Sequence, residues 1–543
     1  MKIVYSLIFT LCFSVSLFAQ DQVPTDFLSK EFHKERRDVL RSKMPANSVA
    51  VVFANPLRNR ANDVDYVFHQ DPNFYYLTGY REPNGVLVLF SDEQTDANGN
   101  TYTEILYVQE KNATKEMWDG KRLGKEEAIK TLGVSKAKNA IEFIISSINF
   151  SKFSQVFIDG KFKDDYRNTS NKAEIFDLVE SFKLATNYNP KDYPSKAKVY
   201  LYNAIAKATI EEQSNIVSTI KKYQAYYPEL LEDAIIQNYL QANDKTKIED
   251  AQQQVSLVLG VKQLVDVSFL PEQLAAMREI KTAEELKLLT KAIRISAIGQ
   301  IEVMKAMQPH MSEAELQGIH EFVYKKYGVA YEGYPSIVGA GNNGCILHYI
   351  ENDRTKVGND LVLMDLGAEY RAYTADVTRT IPANGKFTKE QKLIYDLVFK
   401  AQEAGIKATV VGAPFRAPNN ITKEIINKGL FELGIIDAVD ARHNYYPHGS
   451  SHYLGLDVHD PGTRGNLQAN SVITVEPGIY IPDGSPCDEK WWGIAVRIED
   501  DILITENGPV NLSAEAPRTS EAIEEMMAQP SVLNSFVLPS LDD

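Results

Sequence analysis

The sequence predicts an α+β protein built from two unlike regions. The N-terminal region begins with apolar runs typical of buried strands, at residues 48–55 and 85–90, and continues into helical patterning at about 160–250. After residue 335 the pattern turns to strands again, and five of the nine histidines lie in this part of the chain. We therefore expect the chemistry to be concentrated in the C-terminal region.

The composition excludes several classes of protein. The chain has 543 residues, of which 44% are hydrophobic, and this is enough apolar material for the cores of roughly two to four domains. A formal net charge of −15 argues against nucleic acid as the main partner, because phosphate binding depends largely on lysine and arginine. The three cysteines are too few for a disulfide framework and lack the paired short spacings of a thiolate zinc site: Cys12, Cys345 and Cys487.

The first residues are typical of a targeting segment. Lys2 is the only charge before Asp21, and residues 3–19 form a mostly apolar run that ends at the small residue Ala19. We predict a signal peptide over residues 1–19 and hence a periplasmic or secreted protein. The alternative is an uncleaved anchor, for which the run is of marginal length and contains four serine and threonine residues. No later segment is predicted to span a membrane.

A helix start marks the expected domain boundary. Thr282 followed by Glu285 has the form of a capping box, and we place the boundary just before it, around residue 275. The predicted division is into an N-terminal domain, a C-terminal domain and a tail, at residues 20–275, 276–523 and 524–543.

Two aspartates are predicted to face each other on a hairpin. The apolar strand that begins at Leu361 ends in Asp365, a turn-rich stretch follows, and a second strand carries Asp376. Side chains opposed across such a pair lie roughly 4.5–5.5 Å apart, so the two carboxylates could meet. Carboxylates this close repel each other unless protons or cations lie between them. If the hairpin stood alone, two solvated turn aspartates would be the simpler interpretation.

A second pair of strands repeats this arrangement. The alternation of residues 471–478 places Glu476 on a polar face, and that of residues 493–499 places Glu499 opposite three apolar side chains. We interpret these stretches as the arms of a second hairpin, again with one carboxylate on each arm. Between the two hairpins lie three histidines, His448, His452 and His459.

This set of side chains suits metal ions. Four carboxylates and one imidazole are mostly hard donors, which favour Mn²⁺ over metals that prefer soft ligands. Four negative charges also suggest two divalent ions, which two-metal hydrolytic sites hold about 3.5–4 Å apart. On spacing alone, the alternative is that these acidic side chains lie on strands without binding a metal.

Four motifs, in this order, resemble the metal-binding signature of the aminopeptidase P and prolidase family. They are DLGAEYRAYTADVTRTIP, HGSSHYLGLDVHD, TVEPGIY and GIAVRIEDD, which begin at Asp365, His448, Thr474 and Gly493. The resemblance extends to GCILHYIEN from Gly344 and to VFHQDPNFYYLTGYREPNGVLVL from Val67. In the latter, FYYLTGY followed by Glu82 and Pro83 is closer to aminopeptidase P than to prolidase.

The resemblance implies a pita-bread catalytic domain behind an α/β domain of the creatinase and aminopeptidase P type, here with a helical insertion. It implies five metal ligands, all present without substitution: Asp365, Asp376, His452, Glu476 and Glu499. It implies that Glu476 carries a proton and acts in catalysis together with His348 and His459. The residues that it places against the substrate are His348, His448, His459 and Arg497.

The function implied by the resemblance is that of an Xaa-Pro aminopeptidase, and the predicted signal peptide would make it an exported one. Such an enzyme removes the residue before a proline by means of a hydroxide that bridges two divalent ions, here expected to be Mn²⁺. A homodimer or homotetramer is also implied.

Two alternatives remain open. One is an Xaa-Pro dipeptidase, and the other is a peptide-binding protein of the same fold without turnover. Creatinase shares the fold but lacks this intact ligand set, and methionine aminopeptidase would not be expected to carry so large an N-terminal domain. The motifs do not separate aminopeptidase from dipeptidase, but the helical insertion could, by limiting the length of the peptide.

Overall fold

The computed structural model describes residues 24–145, 148–164, 167, 172–261 and 263–536. The predicted signal peptide, residues 1–19, lies outside the described residues, as do residues 537–543 of the predicted tail. Among the helices of the described residues, none is both long and apolar enough to cross a membrane.

The N-terminal domain is a mixed sheet surrounded by helices. Its strands are β1 (Ser48–Phe53), β2 (Asn59–Ala61), β3 (Val64–Asp65), β4 (Val86–Thr95), β5 (Thr101–Val108), β6 (Ala137–Asn139), β7 (Gln155–Phe157) and β8 (Val265–Asp266). Its helices are α1 (Lys30–Lys43), α2 (Pro72–Thr78), α3 (Ala113–Asp119), α4 (Gly124–Leu132), α5 (Ala140–Ile145), α6 (Ile175–Thr186), α7 (Lys196–Lys207), α8 (Gln213–Gln224), α9 (Ala234–Gln241), α10 (Lys245–Leu259) and α11 (Phe269–Glu279).

Strand β1 lies inside the main sheet, whose order is β6-β5-β4-β1-β7-β8. It pairs antiparallel with β4 and parallel with β7. Ala50 and Val52 pack in an apolar cluster that includes α1 and α2, whereas Val49 and Val51 pack in another with α6. Because both faces of the sheet are covered, this strand is apolar at nearly every position.

Helices α7 to α10 form a helical unit with a core of its own. The buried members of that core all come from residues 197–255, and they include Leu201 and Ile236. The Tyr193 hydroxyl donates to the Val265 carbonyl at 3.0 Å, so the chain leaves and re-enters the sheet domain at neighbouring points. The insertion predicted at about 160–250 therefore begins later than expected, because α6 packs on the sheet.

The C-terminal domain combines small antiparallel sheets with long helices. Its strands are β9 (Ile337–Ala340), β10 (Leu361–Leu366), β11 (Glu369–Tyr370), β12 (Tyr373–Thr374), β13 (Val377–Pro382), β14 (Val472–Val475), β15 (Gly478–Ile481), β16 (Ile494–Arg497), β17 (Asp500–Thr505) and β18 (Gly508–Asn511). Its helices are α12 (Ala283–Ala306), α13 (Glu313–Lys326), α14 (Lys389–Lys407), α15 (Ala417–Glu432) and α16 (Ser520–Met527). Since α16 reaches Met527, the predicted tail begins inside a helix.

The first predicted hairpin is present. Strand β10 pairs antiparallel with β13, with Asp365 opposite Thr378. Asp376 lies directly before β13 rather than opposite Asp365, so the two carboxylates approach each other at the end of the strand pair.

The second predicted hairpin is wrong in its pairing. Strand β14 pairs with β17, and β15 pairs with β16, so residues 471–476 and 493–499 are not partners. The prediction failed because it treated residues 471–478 as one arm, whereas the chain breaks at Glu476 and Pro477 into two strands with different partners. Glu476 lies between β14 and β15, and Glu499 lies between β16 and β17.

The two domains share one apolar core. It contains Leu270 and Leu274 of α11, Tyr76 of α2, and Val377 and Val472 of the C-terminal strands. The expected boundary at residue 275 falls inside α11.

Helix α12 begins at the predicted capping box. The Thr282 hydroxyl accepts the Glu285 N–H, and the Glu285 carboxylate accepts the Thr282 N–H.

The first described residues cross onto the C-terminal domain. The Asp26 carboxylate accepts hydrogen bonds from Lys291 at 3.0 Å and from Arg371 at 2.8 Å, and it also accepts one from the Tyr370 hydroxyl. Phe27 follows, with the Arg81 guanidinium 3.8 Å from the centre of its ring. We call residues 24–29 the N-terminal strap.

Candidate metal centre

Acidic side chains from the ends of several strands surround one cavity of about 320 Å³. Asp365 lies in β10, Asp376 directly before β13, Glu476 directly after β14, and Glu499 between β16 and β17. The structure brings together around this cavity all nine site residues predicted from the sequence: His348, Asp365, Asp376, His448, His452, His459, Glu476, Arg497 and Glu499.

Three of the predicted ligands lie at a separation that suits a metal ion. Ligand atoms of Asp376, His452 and Glu499 are all within 4.8 Å of one another. His452 Nε2 lies 3.3 Å from Asp376 Oδ2 and 3.7 Å from Glu476 Oε1. His452 Nδ1 lies 3.0 Å from the Tyr453 carbonyl, to which its N–H donates. This hydrogen bond points Nε2 at the carboxylates, which is the orientation of histidines that bind metals through Nε2 once its proton has left.

Asp365 is held by a tyrosine and an arginine. Arg497 Nη2 donates to Asp365 Oδ2 at 2.5 Å. The Tyr334 hydroxyl lies 2.6 Å from Asp365 Oδ1 and 2.7 Å from Asp376 Oδ1. A hydroxyl has one proton and cannot donate to both oxygens at once, so the second contact requires a further proton or a cation.

Burial dominates the electrostatics of the carboxylates. It raises the pKa of Glu499 well above its usual range, and the charges of Asp376 and Glu476 add to the effect. Burial also raises the pKa of Glu476 to about 7, despite the opposing charge of His452. The pKa of Asp365 is likewise raised by burial, against the pull of Arg497.

Asp376 and His452 form an ion pair in the same cluster. Although burial opposes both charges, the hydrogen bond with His452 and the His452 charge lower the pKa of Asp376. In turn, despite the effect of burial, Asp376 and Glu476 raise the pKa of His452 to about 9.

The donor set fits divalent cations. Four acidic side chains converge on a buried cavity, where Arg497 and the His452 imidazole are too few to balance them. Burial, with the charges of the neighbouring acids added, raises the pKa of three of these acids above that of free carboxylates. Divalent ions relieve this repulsion, and hard carboxylate oxygens are suitable ligands for them.

Supporting hydrogen bonds fix the ligands. The Thr378 hydroxyl donates to Glu499 Oε2 at 2.6 Å, and Arg497 Nε donates to the Thr378 hydroxyl at 3.2 Å. The Asp376 N–H donates to the buried Asp501 carboxylate at 3.1 Å. Such contacts orient metal ligands before the metal binds.

Three histidines line the cavity without joining the ligand cluster. His448 donates through Nδ1 to the Gly449 carbonyl and accepts the Tyr480 hydroxyl at Nε2, both at 2.8 Å. Burial lowers the pKa of His448 to about 4, so the ring is neutral. His348 and His459 are exposed and make no hydrogen bond to other described residues, which leaves them available to a ligand.

Asp457 and Asp460 serve the domain junction instead. Arg278 of α11 donates to Asp457 at 2.8 Å and to Asp460 at 2.5 Å, and Lys281 donates to Asp460 at 3.0 Å. This ion cluster anchors the segment that carries His459 to the N-terminal domain.

Sequence reasoning missed two residues of the site. Tyr334 lies in the loop before β9, where a lone tyrosine follows no pattern that indicates its contact with two aspartates. Arg464 lines the cavity from the loop after His459. Its position five residues beyond a motif histidine was the signal that could have found it.

Profiles of known families match both domains. The profile described as metallopeptidase family M24 matches residues 287–506, and that of the aminopeptidase P N-terminal domain matches residues 33–146.

Two curated relatives match along nearly their whole length. The Xaa-Pro aminopeptidase of Escherichia coli (strain K12) is 31% identical over 512 residues, which cover 92% of this chain and 98% of the relative. The Xaa-Pro aminopeptidase of Haemophilus influenzae is 32% identical over 516 residues, again covering 92% and 98%.

A solved structure confirms the predicted fold class. Zinc-substituted E. coli aminopeptidase P in complex with product superimposes with a TM-score of 0.70 at 30% sequence identity, covering 92% of this chain and 98% of that one. Both the matched profiles and this likeness agree with a metal centre at the cavity. The chain is therefore a hydrolase that belongs to metallopeptidase family M24 and carries the N-terminal domain of aminopeptidase P.

Proposed function

We propose that this chain is an exported Xaa-Pro aminopeptidase, which hydrolyses the bond between an N-terminal residue and a following proline. The observation that carries the proposal is the complete set of four carboxylates and one histidine around a single cavity that histidines also line. The relatives named Xaa-Pro aminopeptidase support it, since the chain spans 98% of their length.

Two divalent ions would be held by the five donors. The oxygen-rich set favours Mn²⁺, and the ligands are Asp365, Asp376, His452, Glu476 and Glu499. When bound, such ions supply a Lewis acid for the scissile carbonyl and lower the pKa of water towards neutrality.

Glu476 is the residue that we assign to proton transfer. Its Oε1 lies 3.7 Å from His452 Nε2 and its Oε2 lies 3.7 Å from His448 Nδ1, at the wall of the cavity. The carboxylate takes a proton from the attacking water and passes it to the nitrogen of the leaving proline, which must be protonated as the bond breaks. His348 and His459 are assigned to the substrate, where an imidazole N–H donates to the carbonyl oxygen as it gains charge.

The test is release of the first amino acid from a matched Xaa-Pro dipeptide and Xaa-Pro-Yaa-Zaa tetrapeptide, with Mn²⁺ and with EDTA. We expect cleavage of both peptides, loss of activity with EDTA, and a decrease of about 10²-fold or more in Glu476→Gln. Glu506→Gln, an exposed turn residue, is the matched control. Cleavage of the dipeptide alone would identify an Xaa-Pro dipeptidase, and cleavage of neither would favour a binding role.

Metal content is tested separately. We expect apoprotein to recover activity with Mn²⁺ and to hold two ions per chain by elemental analysis. A single ion per chain at full activity would contradict the two-metal proposal.

Export and assembly are also part of the proposal. The composition of residues 1–19 supports export, so protein recovered from the periplasm or medium of a bacterial host should begin at Gln20. Recovery of the intact N-terminus from the cytoplasm would contradict export. The resemblance supports a homodimer or homotetramer, which sedimentation would refute by finding a monomer at micromolar concentration.

A further inference from the structure

A second cavity lies where the N-terminal strap meets both domains. It has a volume of about 260 Å³ and shares no lining residue with the catalytic cavity. Its lining includes Phe27 of the strap, Phe68 and Tyr75 of the N-terminal domain, and Tyr331 and Leu456 of the C-terminal domain. Apolar and aromatic side chains therefore form much of its wall. We call it the junction cavity.

Arg81 brings to this wall a positive charge that has no acidic partner. Its guanidinium lies 3.8 Å from the centre of the Phe27 ring, and it makes no hydrogen bond or ion pair with any residue that the structure describes. Arg371, the other arginine of the lining, donates to Asp26 and to the Gly328 carbonyl. The N–H groups of Arg81 are therefore available to a ligand.

The backbone on both sides of Arg81 is anchored. The Gln70 side-chain amide donates to the Tyr80 carbonyl at 3.1 Å and to the Glu82 carbonyl at 2.8 Å. Gln70 itself lines the cavity. Arg81 is thus held at a fixed place on the wall, with its ring contact to Phe27 limiting the side chain as well.

Tyr75 supplies a second donor. Its side chain is 3% exposed, and its hydroxyl proton has no acceptor among the described residues. Burial raises the pKa of Tyr75 above its usual value, while the charges of Arg81 and Glu369 act on the same hydroxyl in opposite directions. The hydroxyl therefore stays protonated and lies near both charged side chains. A buried donor without an acceptor is unfavourable, and a ligand that accepts this proton would remove the cost.

The other charges of the lining have protein partners. His69 Nε2 donates to Glu369 at 3.1 Å and thereby links the N-terminal domain to β11. Arg371 is bound by Asp26 of the strap at 2.8 Å. These contacts form the cavity without a ligand and leave Arg81 as its unpaired charge.

The chemistry of the wall defines the ligand. A guanidinium and a hydroxyl beside aromatic rings are complementary to a carboxylate that is attached to an apolar group. We propose that the junction cavity binds a small monocarboxylic acid with an aromatic or branched apolar body, whose carboxylate accepts hydrogen bonds from Arg81 and Tyr75. The volume of about 260 Å³ suits a molecule of the size of one amino acid. This site goes beyond the proposed function, and its occupancy does not depend on peptide cleavage.

Three compounds test the proposal on the Mn²⁺-loaded protein. They are N-acetyl-phenylalanine, its amide, and acetate, and ligand-observed NMR titration measures the Kd of each. We expect a Kd of about 1 mM or below for the acid, and binding at least about 10-fold weaker for the amide, which lacks the charge. Acetate has the charge without the apolar body and should also bind at least about 10-fold more weakly.

Variants of the two donors place the acid in the junction cavity. Arg81→Gln should raise the Kd of the acid by about 10- to 100-fold and leave that of the amide unchanged. Arg81→Lys keeps the charge without the fork and should restore part of the affinity. Tyr75→Phe removes only a hydroxyl that has no acceptor in the protein, so it should fold normally and weaken the acid by about 10-fold. Arg60→Gln, an exposed arginine outside the lining, is the control.

The outcomes separate this site from the catalytic centre. Absence of binding at about 5 mM, or equal affinity for acid and amide in the wild type, would overturn the proposal. Unchanged affinity for the acid in Arg81→Gln would also overturn it, by showing that the acid binds elsewhere, as at the metal centre. If the acid binds as expected but no Xaa-Pro peptide is cleaved, the proposed function fails and the junction site stands.

Discussion

The Tyr334 hydroxyl orients two of the candidate metal ligands. It contacts both Asp365 and Asp376 within 2.7 Å, so it holds the two carboxylates at a fixed separation. Tyr334→Phe removes this contact with little change of shape, and we expect metal affinity to fall by about 10- to 100-fold. Competition with a chelator measures the affinity, with the exposed Tyr327→Phe as control. Unchanged affinity would mean that the other contacts suffice.

His320 makes the stability of the C-terminal domain depend on pH. It is fully buried on α13, both ring nitrogens lack a hydrogen-bond partner, and burial lowers its pKa to about 3. Below pH 6.5, the usual pKa of about 6.5 lets His320 bind a proton in the unfolded chain, whereas the buried ring in the folded protein does not bind it. The free energy of unfolding therefore falls as the pH falls from 6.5 towards 3, by about 2 kcal/mol for this residue at pH 5.

His320→Leu removes the titration and should reduce this pH dependence. Urea unfolding of the apoprotein gives the free energy of unfolding at pH 7.5 and at pH 5. The change between the two pH values is then compared for wild type and variant. If wild type and variant lose the same free energy of unfolding between pH 7.5 and pH 5, His320 is protonated in the native state at pH 5.

The metal ligands are easier to predict from the sequence than the side chains that orient those ligands. Asp376, Glu476 and Glu499 lie beside regular strands, so alternation and the motifs together point to them. Tyr334 is different, because its role depends on a loop that meets β10 and β13 through long-range packing. No local periodicity encodes such a contact.

At the scale of elements, α11 joins the domains through buried charge. Arg278 is 2% exposed and lies between Asp457 and Asp460, with the Asp460 side chain 1% exposed. Arg278→Met leaves a buried carboxylate with Lys281 as its remaining cation, and we expect a loss of about 3–5 kcal/mol in the free energy of unfolding. Urea denaturation measures it.

A surface pair provides the comparison for α11. Arg294→Met breaks an ion pair with Glu515 in which the arginine is 67% exposed, and it should change stability far less than Arg278→Met does. A similar effect for the two variants would mean that the buried cluster contributes no more than a solvated pair.

Strand pairing was harder to predict than strand position. Residues 493–499 alternate correctly for β16, but their partner is β15, which begins at Gly478 immediately after a proline. Alternation determines which face of a strand a side chain occupies. It does not determine which of the four strands β14 to β17 become neighbours in the folded protein. Both carboxylates nevertheless reach the cavity, because Glu476 and Glu499 lie at the strand ends where the two pairs meet.

At the scale of the whole molecule, the helical unit α7 to α10 should be removable. Its core draws its buried members from residues 197–255, and the Tyr193 to Val265 hydrogen bond places its two ends close together. Replacing residues 196–260 with a short Gly-Ser linker should leave a folded protein that cleaves the Xaa-Pro dipeptide as before. Size-exclusion chromatography and dipeptide kinetics check this.

The same deletion shows whether the helical unit limits peptide length. A higher kcat/KM for the tetrapeptide, with unchanged dipeptide cleavage, would demonstrate such a limit. Insoluble protein would contradict the independence of the unit.

The N-terminal strap also determines an order of events during synthesis. Asp26 bonds to Lys291, Tyr370 and Arg371, which lie 265, 344 and 345 residues further along the chain. The strap therefore has no complete docking site until residue 371, in the first half of the C-terminal domain, has left the ribosome. Asp26 can therefore dock only after the whole N-terminal domain has been synthesised.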